Sequence, residues 1–317
     1  MLRSLYSAIS GMGVHQSKLN VIGNNISNVN TYGFKSSRVV FSDVLYQNVR
    51  SSMAGQNQDV DAVNTGGVNP SQLGYGVKVS SIDKIMTNSS GADTGRSMDL
   101  FLDGDGFFIV NTKATDDPEV AYTRVGALNF DSAGNLVDGN GSLVMGTTSD
   151  CEYDTTGGGF TMNTEATAIS DLTAPVEIDL TNVVPQTDGI GAINLSSDVL
   201  NNVTGISVGQ DGAITGIIDG EPQVLGYLAV ATFGNPDGLN QSGTSYFLEG
   251  NNSGTVQISS AGEGSAGTIV SGALEMSNVD LSREFTEMIT AQRGFQANSR
   301  IVTVSDSILE ELVNLKR

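Results

Sequence analysis

The residues that could do chemistry are few. The chain holds one histidine, His15, and one cysteine, Cys151. Nucleophilic catalysis needs a nucleophile and a base within hydrogen-bond reach. A single His leaves one possible base, and no G-x-S-x-G stretch supplies a serine for it. One His and one Cys cannot complete a structural zinc site within one chain. Asp103-Gly104-Asp105-Gly106 offers two carboxylates, but an EF-hand loop needs alternating oxygen ligands and a closing Glu over about twelve residues. Here Phe107 and Phe108 follow at once, so the stretch reads as a turn. Gly157-Gly158-Gly159 is followed by neither a helix pattern nor a lysine that could hold a phosphate. The scattered carboxylates of the middle could include a glycosidase pair. With no Trp and 6% aromatic residues, a sugar platform is poorly supplied. The expectation is a structural protein, not an enzyme, with no cofactor and no metal.

Composition narrows the partners. The 317 residues carry 15 Lys and Arg against 35 Asp and Glu, for a net charge of −20. Holding a phosphate backbone needs clustered Lys and Arg, so nucleic acid is excluded as a partner class. An anionic membrane surface is disfavoured for the same reason. No apolar run approaches the ~20 residues of a spanning helix, so no membrane insertion is expected. The first twenty residues contain no continuous apolar stretch of signal-peptide type, and no cleaved signal is expected. One cysteine allows no intramolecular disulfide.

With so little chemistry, the elements themselves become the subject. Leu2, Leu5, Ile9, Met12, Gln16, Leu19, Gly23 and Ile26 alternate three- and four-residue steps. That is a heptad pattern with Leu5, Met12, Leu19 and Ile26 on one row. Gly11 and Gly13 each cost roughly 1 kcal/mol of helix propensity relative to Ala, so this helix needs a partner. The other end mirrors it. Leu274, Leu281, Met288, Phe295, Val302 and Leu309 recur every seventh residue, with Ile301, Ile308 and Leu315 as a second row. Asp280 is the expected helix start, with Glu284 and Glu287 well placed in the early turns. One helix pair can bury only part of these stripes, so the remainder is expected to seek neighbours.

Asn20, Asn24, Asn25, Asn28 and Asn30 crowd the exit of the first helix. Asn favours turns over helix interiors, and Gly33 permits a sharp change of direction. Asn24, Asn25 and Asn28 are also candidates for fixing the register of helices from neighbouring subunits, since a buried amide can specify coiled-coil register. The candidate assembly residues are therefore Leu2, Leu5, Ile9, Met12, Leu19 and Ile26 with these three asparagines. At the other end they are Leu281, Met288, Phe295, Val302, Ile308, Leu309 and Leu315.

Between the ends the pattern is β. "LFLDGDGFFIV" (100–110), "LNFDSAGNLVDGNGSLVMG" (128–146) and "ISVGQDGAITGIIDGEPQVLGYLAVATF" (206–233) each read as short strands punctuated by hairpin turns. The fold class is α+β and multidomain. Paired N- and C-terminal heptad helices form one base. They carry an acidic, mainly β body and an inserted outer β subdomain. The expected boundaries are 1–30 with 278–317 for the helices and 31–70 for an extended linker. The β body takes 71–146 with 204–277, and the insertion takes 147–203. A secreted adhesin, or a hydrolase within 147–203, would be a different class of answer, but neither needs paired heptad ends.

The two ends also carry a resemblance. "MLRSLYSAISGM…LNVIGNNISNVNTYGFKSSRVVFSDVLYQ" and "GALEMSNVDLSREFTEMITAQRGFQANSRIVTVSDSILEELVNLKR" resemble the terminal signatures of bacterial flagellar rod and hook proteins. "DGDGFFIV", "AYTRVGALNFDSAGNLVD" and "LGYLAVATFGNPDGLNQSGTSYFLEGNNSG" are similar to that family's core β domain. "TYGFKSSR", "GVNPSQLGYGVKVSSID" and the insertion are similar to hook subunits. "MLRSLYSAISGM" and "VLYQNVR" are similar also to distal-rod subunits. The resemblance implies a homopolymer, a helical tube assembled from subunits that leave the cell through the flagellar type III export apparatus without a cleaved signal. In the hook this tube is a curved universal joint between motor and filament, outside the cell. In the distal rod it is a rigid drive shaft within the basal body. The implied partners are the distal rod protein, the hook cap and the hook–filament junction proteins.

Overall fold

The structure, a computed structural model, describes residues 2–54, 66–112, 119–148, 150–154, 159–164, 190–195, 197–218 and 220–315. They divide into two compact units. The first draws on Met1–Ser27, Ser36–Ile85 and Val279–Arg317, and the second on Asn28–Lys35 and Met86–Asn278.

The first unit contains the two long helices. Helix α1 spans Leu2–Ser27. After it come β1 (Ser37–Asp43), β2 (Tyr46–Arg50), β3 (Ser71–Gly74) and β4 (Val77–Lys84). Strand β1 pairs antiparallel with β4, with a register shift between Val40 and Phe41. Strand β2 pairs with β3. Residues 71–85 therefore belong with the helices. The boundary expected at residue 71 moves to 86, because β4 finds its ladder partner in β1.

The second unit is β-rich. Its strands are β5 (Gly91–Asp93), β6 (Leu100–Asp103), β7 (Phe107–Asn111), β8 (Val120–Thr123), β9 (Leu128–Phe130), β10 (Leu136–Asp138) and β11 (Leu143–Thr148). A separate hairpin, β12 (Asp150–Asp154) with β13 (Gly159–Thr164), follows. Strand β14 (Gly191–Ala192) and the short helix α2 (Ser197–Asn202) come next. Then come β15 (Thr204–Val208), β16 (Ala213–Ile218), β17 (Glu221–Leu228), β18 (Val230–Thr232), β19 (Asn240–Gly243) and β20 (Tyr246–Leu248). The last are β21 (Gln257–Ser259), β22 (Thr268–Ser271) and β23 (Ala273–Glu275). Helix α3 (Leu281–Asn314) returns the chain to the first unit.

The main sheet runs β15-β16-β17-β11-β7-β8-β20-β19. Strand β7 lies inside it, and all five of its residues are buried. Its side chains alternate between two apolar clusters, as the period of a strand requires. Phe108 and Val110 join Leu100, Leu102, Ile214 and Ile269. Phe107 and Ile109 join Tyr122, Met145, Ile190 and Phe247.

The expected hairpins at 128–146 and 206–233 form: β9 pairs with β10, β10 with β11, β15 with β16, and β16 with β17. The hairpin expected at 100–110 does not. Strand β6 pairs with β22, while β7 pairs with β8, β11 and β18. Gly104 and Gly106 sit at φ +125° and +135°. A Cβ on Gly104 would lie 2.6 Å from Gly267 Cα, and Gly267 N donates to Asp105 O. The turn is thus drawn against the 266–267 loop and carries the chain from one ladder to another.

The segment expected as an inserted subdomain is described only in part. Residues 190–195 lie in the core sheet: β14 pairs with β11, and Ile190 and Ile193 are fully buried. Residues 165–189 and the Cys151 side chain lie outside the described residues.

Candidate assembly surface

Helices α1 and α3 run antiparallel, as their partners show. Asn25 donates to Glu284 Oε1 at 3.1 Å, and Lys18 Nζ lies 3.1 Å from Glu287 Oε2. His15 faces Gly294, and Gly11 faces Asn298. As one number falls the other rises. This seam is made of small and polar residues. Gly11, Ala291 and Ser305 are buried in it, and Ala8 and Ile22 are buried on α1. A Cβ on Gly294 would lie 2.6 Å from the His15 ring, so glycine is what lets the helix approach there.

Its charges answer to that packing. Burial pushes the Glu284 carboxyl above its ordinary value, with the Asn25 bond opposing. Burial also acts to raise Glu287, but the hydrogen bond and charge of Lys18, helped by Arg283, outweigh it and hold the group low. Asp280 caps α3 as expected, accepting from Ser282 N and Arg283 N. Residues of the same helix also meet β1 and the β3–β4 turn. His15 meets Phe41 edge-on at 5.9 Å, Lys18 sits over the same ring, and Arg3 lies over Tyr75.

The candidate heptad residues flank this seam. Leu5, Met12, Leu19 and Ile26 are half-buried, and Ile9 is exposed. Met288, Phe295, Val302 and Leu309 are half-buried; Leu281, Ile308 and Leu315 are exposed, the last at 82%. The Leu2 side chain lies outside the described residues. Leu274, read as the start of the last heptad row, is instead buried in β23. Beyond the expected rows, α3 exposes Phe285, Ile289, Val304 and Leu312. The β1–β3 stretch exposes Val40, Phe41, Leu45, Tyr46 and Val49, with Leu45 at 77%.

The asparagines divide. Asn24 is exposed. Asn28 falls in the second unit, where its Oδ1 accepts from Thr31. Asn25, a candidate for contacts between subunits, is 1% exposed, and its amide makes its hydrogen bonds within its own chain. It donates to Ser37 O and Glu284, and accepts from Ser37 N. The residues that the heptad pattern missed are His15, Lys18, Gly294 and Asn298. Their signal was Gly11 and Gly294, small residues spaced so that a partner helix can close in.

Among the described residues, no group of three His, Cys, Asp or Glu converges as a metal site. No described helix is long and apolar enough to cross a membrane.

Residues 5–35 match the family described as Flagella basal body rod protein. Residues 101–216 match the Flagellar hook protein FlgE/F/G D1 domain, and residues 270–315 the Flagellar basal body rod FlgEFG protein C-terminal family. The chain is 42% identical to the flagellar basal-body rod protein FlgG of Bacillus subtilis, covering all of both chains. The chain belongs to the flagellar hook and rod protein family.

Two relatives from Borreliella burgdorferi frame its position within that family. The chain is 32% identical to the flagellar hook protein FlgE of that organism, over 451 aligned positions and all of both chains. It is 29% identical to the FlgG rod protein of the same organism, again over all of both. The three matched segments fall on α1 and the residues after it, on the β-rich unit, and on β22 through α3. The candidate heptad rows from Leu5 onward lie on its N- and C-terminal helices, within two of the three matched segments.

Proposed function

We propose that this chain is the hook subunit of a bacterial flagellum. Copies polymerise through their terminal helices into a curved tube that carries torque from rod to filament. The observation that carries assembly is the mismatch in the first unit. Its helices meet along small and polar residues, while Phe285, Ile289, Val304, Ile308 and Leu312 stay exposed. Contiguous apolar rows of that kind on a polar chain are interaction surfaces. A second copy of the same helices can cover them.

Hook over rod is supported by the two Borreliella relatives. Within one organism, the hook protein is 32% identical to this chain and the rod protein 29%, each covering all of it. The hook relative aligns over 451 positions against 317 residues here, whereas the rod relatives align over 320 and 317, so length by itself favours the rod. The subunit would leave the cell through the flagellar export apparatus and meet the distal rod, the hook cap and the junction proteins. A second reading, a distal-rod subunit forming a straight shaft, is favoured by the 42% identity to the Bacillus rod protein.

Immunogold electron microscopy of isolated hook–basal bodies, with antibody against residues 147–203, separates the two. Gold along the curved segment supports the hook. Gold confined to the straight rod replaces it with the distal rod. Absence of gold from both, on bodies that retain hook and rod, overturns the axial reading.

A further inference from the structure

The β-rich unit is made of two pieces, Asn28–Lys35 and Met86–Asn278, so three stretches of chain connect it to the rest: 28–35, the residues just after 85, and those just before 279. Inside the unit, these three stretches converge on one buried carboxylate. Lys35 Nζ lies 2.7 Å from Glu275 Oε1, and the two side chains are 1% and 0% exposed. The same ammonium donates to Thr87 O at 2.9 Å, and Ser89 N donates to Glu275 Oε1 at 3.2 Å. Backbone bonds repeat the pattern. Gly33 N donates to Glu275 O, Met276 N to Ser90 O, and Asn278 N to Phe34 O. The Asn278 amide reaches Thr87 Oγ1 at 3.2 Å.

A second cation completes the cluster. Arg124 Nη1 lies 3.7 Å from Glu275 Oε2, with the arginine side chain 3% exposed. That nitrogen donates to Gly104 O at 2.9 Å, within the Asp-Gly-Asp-Gly turn, and the guanidinium lies over the Phe107 ring. The turn singled out in the sequence therefore finds its use as an acceptor for this arginine.

A buried ion cluster is weak evidence for stability, because desolvation offsets most of the attraction. Burial accordingly pulls the Lys35 ammonium below its ordinary value, against the opposing charge of Glu275. What such a cluster does provide is geometry: Glu275 Oε1 finds its two donors, Lys35 Nζ and Ser89 N, only when three separate stretches are in place. We propose that Lys35, Glu275 and Arg124 form a clasp that makes the three connecting stretches a single cooperative element, opening together or not at all. This goes beyond the hook reading and does not depend on it, since every atom involved lies in one unit of one chain.

The test is amide hydrogen exchange on the full-length monomer, comparing the parent chain with Glu275→Gln. The reporters are the amides of Gly33, Ser89, Met276 and Asn278, one or more on each stretch. Losing a bond to a charged group should speed exchange at all four by a common factor of about ten- to hundredfold, while β7 and β8 amides hold their rates. Acceleration at Ser89 alone would mean a local bond and no clasp. Equal acceleration throughout β7 and β8 in a folded variant would mean general destabilisation and no clasp. Unchanged reporters would overturn it as well. Should Glu275→Gln fail to fold, Asn278→Ala decides alone. It removes the tie to Thr87 and leaves the buried charges intact. The clasp then requires Gly33, Ser89 and Met276 to accelerate together, and acceleration near residue 278 alone refutes it. Because the monomer is observed, failure of this inference and failure to polymerise are separate results.

Discussion

The two units solve the burial problem in opposite ways. In the β-rich unit the apolar residues close on each other: Leu100, Phe108, Ile109, Tyr122 and Val144 are all fully buried on both sides of one sheet. In the helical unit Val14 and Ile22 are buried on α1 beside Gly11, Gly294, Ala291 and Asn25, but most large apolar residues of the two helices stay half-buried or exposed. The first arrangement is complete in one chain. The second is unfinished, because helices that meet through small residues leave their wide apolar faces pointing elsewhere. If copies assemble through the helices as proposed, stability and assembly fall to different parts of the molecule, and substitutions should separate them.

The largest effect should come from charging the exposed apolar faces. Phe285→Asp combined with Ile308→Asp should abolish polymer formation, scored by electron microscopy of assembled material. Both positions are already exposed, so each monomer should keep its stability within about 0.5 kcal/mol in urea unfolding. A monomer that unfolds instead would show that these faces are needed within one chain. The reverse experiment is Phe108→Ala. It removes a fully buried ring and should cost about 3–5 kcal/mol of β-unit stability. Near-parental unfolding would mean that the sheet core relaxes around the loss.

Smaller effects probe the seam and a turn. Gly294→Val places a branched side chain on a backbone where even a bare Cβ would lie 2.6 Å from the His15 ring. Overpacking of that kind costs about 1–3 kcal/mol, and it should appear as faster amide exchange along α1 and α3. If exchange is unchanged, the His15 ring has another place to go. In the β unit, Thr244 and Ser245 form the two-residue loop between β19 and β20 at φ +47° and +63°. Both values suit the type I′ turn, for which Asn-Gly is the favoured pair. Replacing Thr244-Ser245 by Asn-Gly should raise stability by about 1–2 kcal/mol. A loss would mean that the native hydroxyls make up the difference.

The sequence was legible where a period or a turn acts locally. The heptad steps announced both long helices, Asp280 announced a cap, and Gly33 takes the positive φ of +65° that its place after the asparagines suggested. The seam was not legible in the same way. Heptad reading weights large apolar residues, and here the contact is set by what is small. The pairing of β6 with β22 joins Leu100–Asp103 to Thr268–Ser271, so no local signal at Asp103–Gly106 could reveal that this turn is not a hairpin. Asn25 was visible as unusual, but an amide has several ways to be satisfied. Only the fold shows that Ser37 and Glu284 take it.

The smallest effect concerns acidity at the seam, where Glu284 and Glu287 at the start of α3 pull in opposite directions. Glu287 is held below its ordinary value by Lys18, after burial has acted to raise it. A depressed carboxylate stabilises the folded state above the unfolded pKa, near ~4.3, and that contribution is lost as pH falls through the lower folded value. Glu284 is raised by burial, so its contribution has the other sign. It is present below the unfolded pKa and lost as pH rises through the folded one. Acidification from neutral pH should therefore first relieve Glu284 and only later break the Lys18–Glu287 pair. With the pair's side chains 24% and 36% exposed, its share is under about 1 kcal/mol. Lys18→Met should remove the late, acid-sensitive step in α3 amide exchange and leave the early one. Glu284→Gln should remove the early step and keep the late one. If both substitutions flatten the same step, the two carboxylates titrate as one group and the seam has a single electrostatic contact, not two opposed ones.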